Sequence, residues 1–157
     1  MLSIDYLVPG YNHALEAIPG GTEMARVLDE STEDGNLAER TAALIRVAVA
    51  HRAGGPYARW AMSCLAARVW IGAEDIFFAT IGTARDPIES VILKAAVRMA
   101  STAGRTRPVD FDALAHLLGT PKATEVVAQV AHAMLACEAL AYIAPSTGAA
   151  ERSRPGA

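Results

Sequence analysis

Apolar positions recur along this chain at helical spacing, and no stretch shows the apolar–polar alternation that a half-buried strand requires. The spacing predicts helices over Tyr11–Ile18, Thr22–Leu28, Leu37–Arg52, Pro56–Ile71 and Ala73–Ile81. It predicts three more over Pro87–Thr102, Asp110–Leu118 and Thr120–Ala144. Breakers fall where these elements should stop. Pro19-Gly20-Gly21 closes the first, Asp29 to Asn36 is a polar loop, and Gly54-Gly55 halts the third. Pro56 then occupies a first-turn position, where its missing N–H costs nothing. Gly72 and Gly119 are placed as C-caps, and Asp86-Pro87-Ile88-Glu89 reads as a capping-box-like start. Gly104 to Pro108 is a basic, flexible connector, and Pro145 ends the last helix. The expected fold class is all-α: an N-terminal helical arm and loop over 1–36, a helical domain over 37–144 and a flexible tail over 145–157.

The faces of these helices sort the polar residues. On the last one, Val127, Val130, Met134 and Ala141 share a stripe, with Glu125, Gln129 and His132 on the opposite face. Glu138 lies four residues after Met134, inside the stripe, with Cys137 at its border. A buried carboxylate is costly unless paired or protonated, so Glu138 is either an ion-pair partner or a pocket carboxyl with a raised pKa. On the first long helix Leu37, Leu44, Val47 and Ala48 form the core face, His51 continues it, and Arg46 points away. His51 is either a satisfied end-of-helix group or an acid–base residue. The helix from Pro56 is apolar nearly all round, which places it at the centre of a core or at a subunit interface. Met62 and Trp60 then read as packing residues.

Composition narrows the classes. The chain has 157 residues, 52% hydrophobic but only 6% aromatic, enough for one domain with a core of closely packed small-residue helices. The net charge of −3, with acids and bases scattered, offers no basic stripe for nucleic acid. Uninterrupted apolar runs fall short of the roughly 18 residues of a spanning helix, and the N-terminus has no signal-peptide pattern. Two cysteines, Cys64 and Cys137, make no disulfide framework. The expectation is a cytoplasmic protein with neither nucleic-acid nor membrane partners.

Spacing also removes several chemistries. The histidines form no His-x-x-x-His pair, no Cys/His cluster has zinc spacing, and there is no phosphate-binding glycine loop or nucleophile elbow. No metal or cofactor is expected. The turn before the Pro56 helix keeps some potential: its unpaired N–H groups from Gly55 onward favour an anion, Arg59 offers a charged fork and Tyr57 a phenol. A capped helix with a solvated Arg59 is the plainer alternative.

Gly54-Gly55-Pro56-Tyr57-Ala58 is similar to the Gly-Cys-x-Tyr-Cys turn of the alkylhydroperoxidase D-like and carboxymuconolactone decarboxylase-like superfamily. Asn36 to Ala50 resembles the helix leading into that turn, and Asp86 to Met99, Val109 to Leu114 and Thr124 to Ala141 follow the order of its later helices. The resemblance covers roughly Asn36 to Ala144 and implies an alkylhydroperoxidase D-like helical bundle that oligomerises. The departures fall on the chemistry. The family's relay glutamate falls on Ala43, its two cysteines on Gly55 and Ala58, and its histidine on Met62. An alternative register counted back from Gly72 gives Tyr57, Trp60 and Cys64. Its Asn-Arg pair falls near Cys137-Glu138.

Either register removes the dithiol mechanism, whereas the branch resembling carboxymuconolactone decarboxylase does acid–base chemistry on small carboxylates. Three functions follow as expectations. The first is a cofactor-free, non-redox enzyme of lyase, decarboxylase or isomerase type on a small organic acid, with His51, Glu138 and Tyr57 catalytic and Arg59, Gly55, Trp60 and Cys64 lining the ligand site. The second is residual peroxidase activity through Cys64. The third is a non-catalytic ligand- or partner-binding module. Apolar helices in excess of what one small bundle buries predict a homo-oligomer, whether dimer, trimer or hexamer.

Overall fold

A computed structural model describes residues 4–33, 35–102 and 107–152, with side chains to 143. Every regular element among them is helical: α1 Ile4–Leu7, α2 Tyr11–Ala17, α3 Gly21–Thr32, α4 Glu39–Ala53 and α5 Pro56–Arg68. Then come α6 Ala73–Thr80, α7 Pro87–Ser101, α8 Pro108–Leu118 and α9 Thr120–Arg152. The all-α expectation holds.

Helix α4 is the axis of the fold. Its ten consecutive residues Thr41 to Ala50 are all buried, because α5, α6, α7 and α9 surround it. Small side chains permit this crowding: Ala42, Ala43, Ala48 and Ala50 on α4 meet neighbours that carry Ala58, Ala61, Ala95, Ala96 and Ala133. Alanine keeps helix axes close and loses no rotamer entropy on burial. Around the outside, α2 and α3 pack on α9, α1 reaches α5, and α8 lies against α9. A network of charges ties α4 to α6 and α7. Arg40 Nε donates to Glu89 at 3.1 Å, Arg40 Nη2 lies 3.2 Å from Asp75, and Asp75 also accepts from Arg85 Nε at 2.8 Å.

Several local expectations are corrected. Helix α3 runs through Asp29 to Thr32, so half of the expected polar loop is helical. Helix α5 stops at Arg68 with Val69 as C-cap; Gly72 instead precedes α6 as its N-cap. Between them Trp70 takes a left-handed conformation at φ 66°. Helix α8 begins at Pro108 after Arg107, and Asp110 accepts from Arg98 Nε at 3.1 Å instead of capping. The Asp86 cap is as expected, accepting the Glu89 N–H at 2.8 Å. Pro145 does not end α9, which continues to Arg152. Most of the expected basic connector, 103–106, lies outside the described residues, as do 153–157.

The segment Thr120–Ile143 of α9 is long and apolar enough to cross a membrane by length and composition, with mean hydropathy 1.6. Over half of that window, 56%, is buried within the protein. Its inward stripe is Val126, Val130, Ala133, Cys137 and Leu140, one residue out of register with the expected stripe for most of its length. One residue is about 100° of helical rotation, which turns Glu138 and Ala141 outward and Gln129 inward.

Candidate functional site

The turn between α4 and α5 does not gather the residues expected there. Gly55 is exposed and caps α5 by backbone geometry alone. Tyr57 is half-buried and stacks on Trp60, with ring centroids 5.6 Å apart and planes 7° from parallel. Trp60 and Arg59 otherwise face solvent, and Cys64 is only partly buried. Met62 and Ala43, which one expected register aligns with the family's histidine and glutamate, are buried packing residues. His51 Nε2 is enclosed without a hydrogen-bond partner, and burial, with the nearby Arg59 charge second, lowers the pKa of its ring. Glu138 is exposed, and among the described residues no hydrogen bond or ion pair joins it to His51. Neither of the two described clefts is lined by His51, Tyr57 or Glu138.

The same turn is tightly filled on its inner side. The Gly54 α-carbon sits so close to α9 that an added β-carbon would lie 3.0 Å from Cys137 Sγ. Both cysteines are free thiols, and burial pushes Cys137 up to about 11. A thiol so protonated is a poor nucleophile at neutral pH.

Polar groups converge elsewhere, under the N-terminal arm. A cleft of about 640 Å³ opens between α2 and α3, and its lining includes Arg46 from α4 and His132 from α9. Arg46 was expected to point away from the core, yet it is 5% exposed. Its Nη2 lies 3.5 Å from His132 Nδ1, while its buried Nε has no partner. The Tyr11 hydroxyl, from α2, is also buried and unpaired, and desolvation raises this phenol to about 12. On its other side His132 meets Asp29, with Nε2 3.2 Å from the carboxylate.

These contacts set the state of the imidazole. Burial and the Arg46 charge push His132 down to about 4, against a smaller upward pull from Asp29. The ring is therefore neutral at pH 7, and the only tautomer that suits both neighbours has Nε2–H donating to Asp29 and Nδ1 accepting. Below this group on α9, Glu125 is 4% exposed and accepts the Leu37 N–H at 3.0 Å, which pins the entry to α4. Gln129, at 2% exposed, leaves its Oε1 unpaired.

Chemically, the cleft combines a desolvated cation, a buried phenol and a carboxylate-oriented neutral imidazole. No group of three potential metal ligands occurs among the described residues. Hydropathy periodicity missed this site because Arg46 and His132 lie on faces that their own helices make look solvent-facing. The remaining signal in the sequence is the repeated polar spacing Glu125, Gln129 and His132, a continuous face on one helix.

Comparison of the chain with protein-family models, curated proteins and solved structures returns no match.

Proposed function

We propose that this chain acts on small organic acids by cofactor-free acid–base chemistry from the cleft beneath its N-terminal arm. The scaffold proposed is the carboxymuconolactone decarboxylase-like one, which the order of helices around the Gly54 turn supports. The observation that carries the functional reading is Arg46: a guanidinium enclosed by protein with a free Nε–H and, among the described residues, no carboxylate hydrogen-bonded to it. Desolvating such a cation costs several kcal/mol, and an oxyanion seated in the cleft would offset that cost. Tyr11 would add a second donor. With the anion on Arg46, His132 Nδ1 is released to take a proton from the carbon beside the substrate's carbonyl. The electron pair moves into that carbonyl as an enolate, and Asp29 balances the imidazolium. His132 thus takes the role expected of His51, and Arg46 that expected of Arg59.

The test is proton exchange. Pyruvate and acetoacetate in D₂O, followed by ¹H NMR, should exchange their α-protons faster with the protein than without it. His132→Gln should slow that exchange by about 100-fold, the lower range for a general base, while leaving the acid bound. Exchange unaffected by His132→Gln would overturn the assignment.

A second reading, a non-catalytic binding module, is favoured by one contact: both His132 nitrogens are engaged, by Arg46 and by Asp29, which leaves no free base. Binding without exchange in the same experiment would select it. The thiol alternative through Cys64 gains no support, since Cys64 has no disulfide partner and Cys137 is buried.

Homo-oligomerisation belongs to the same proposal. Trp70, Phe77, Ile81, Ile88 and Val91, within and beside α6 and α7, are all exposed, and exposed apolar surface beyond a few hundred Å² marks association sites. A cytoplasmic setting without nucleic-acid or membrane partners is part of this reading, supported by the scattered charge.

A further inference from the structure

The charge of the arm cleft changes sign from floor to rim. Arg46 and Tyr11, whose Nε and hydroxyl are enclosed and unpaired, belong to its lining. Towards solvent the lining includes Glu16, Asp29, Glu30 and Glu33, with Arg26 as the other cation. Arg26 is already committed, because it pairs with both Glu23 and Glu30 on its own helix. Among the described residues Glu16 pairs only with His13, at 3.5 Å. Glu33 has no ion pair among the described residues, and Asp29 is mostly exposed beyond its contact to His132. Ile4, Leu15 and Ala25 supply apolar wall in the same cleft.

We infer that the ligand of this cleft is a zwitterion, an amino acid in the broad sense, with its carboxylate on Arg46 and Tyr11 and its ammonium among Glu16, Asp29 and Glu33. The inference rests on the reading of the cleft as an organic-acid site and names the acid's class. A dicarboxylate or a phosphate ester would carry its second negative charge into the acidic rim, where like charges disfavour it. A simple monocarboxylate would satisfy the floor but leave the rim carboxylates without a counter-charge. A short aliphatic spacer lies against the apolar wall.

Calorimetric titration of the full chain at low ionic strength tests this with matched probes. The ω-amino acids β-alanine, 4-aminobutyrate and 5-aminovalerate are compared with propionate, butyrate and valerate, and with succinate and glutarate. At least one ω-amino acid should bind about tenfold more tightly than its matched monocarboxylate, a difference of about 1.4 kcal/mol, and the dicarboxylates most weakly. The double substitution Glu16→Gln with Glu33→Gln alters exposed side chains, so folding should be retained. It should abolish the tenfold preference while monocarboxylate binding persists. Arg46→Gln, checked for helicity by circular dichroism, should remove binding of both series. Equal or tighter binding of the monocarboxylates would overturn the zwitterion and leave the organic-acid reading standing. No binding by any probe would overturn both.

Discussion

His132 is pulled in opposite directions by its two neighbours, and burial decides the outcome. The Arg46 guanidinium and desolvation outweigh Asp29, which holds the ring neutral with a pKa of about 4. An unfolded chain would bind a proton at the ordinary value near 6.5, so between roughly pH 6.5 and pH 4 the unfolded state takes up more protons than the folded one. Stability from this group is therefore complete above pH 6.5 and declines as pH falls towards 4. The expected result is a chemical-denaturation midpoint that drops more steeply over that window in the wild type than in His132→Gln. Parallel pH profiles for the two proteins would show that the imidazole is not enclosed as described. Residue identity alone could not have indicated this state. A histidine and an arginine 86 positions apart become a pair only when α4 and α9 pack.

At the scale of the helix, the two glycines of the α4–α5 turn have opposite roles despite being adjacent. A methyl group at Gly54 would lie 2.8 Å from the Ala50 carbonyl oxygen and 2.9 Å from Ala58 Cβ, besides its approach to Cys137. Two of those three atoms belong to helix α4 or α5 and have little room to move. At Gly55 nothing lies within 4 Å, and φ is −79°. Gly54→Ala should lower stability by about 1–3 kcal/mol, the usual penalty for overpacking, whereas Gly55→Ala should leave it within about 0.5 kcal/mol. Urea denaturation of the two variants checks this, and equal effects would contradict the close approaches at Gly54. The Gly-Gly pair was legible in sequence as a helix stop. Which glycine was indispensable was not, because the constraint depends on how the turn folds back on Ala50 and Ala58 and on the approach of Cys137 from α9.

Across the whole molecule, the outer surface keeps large apolar side chains in water. Trp70 is 95% exposed and is the one non-glycine residue with positive φ among those described. The left-handed conformation costs a non-glycine residue roughly 1–2 kcal/mol, and here no burial within the chain offsets it. Trp70→Gly is therefore expected to stabilise the dilute single chain by up to about 1 kcal/mol, after glycine's own entropic cost. It should also weaken self-association at micromolar concentration, measured by light scattering. A wild-type chain that is monomeric under those conditions would overturn the oligomer proposal. A Trp70→Gly variant that associates fully would place the interface elsewhere.

What the sequence determined on its own is the succession of helices. Gly54-Gly55, Asp86-Pro87, Gly119 and the 3.6-residue period act within a turn or two of chain, so their consequences can be read locally. It did not determine which face of an alanine-rich helix turns inward. On α9, Ala133, Ala136 and Ala139 carry so little hydropathy contrast that a stripe displaced by one residue fits almost as well. Only packing against α4 resolved that register, exposing Glu138 and enclosing Gln129 and His132. The same packing left the Gly54 turn filled by Cys137 and moved the convergence of polar groups to Arg46, His132, Asp29 and Tyr11. Those four residues come from four different helices, so only tertiary contact could bring them to one cleft.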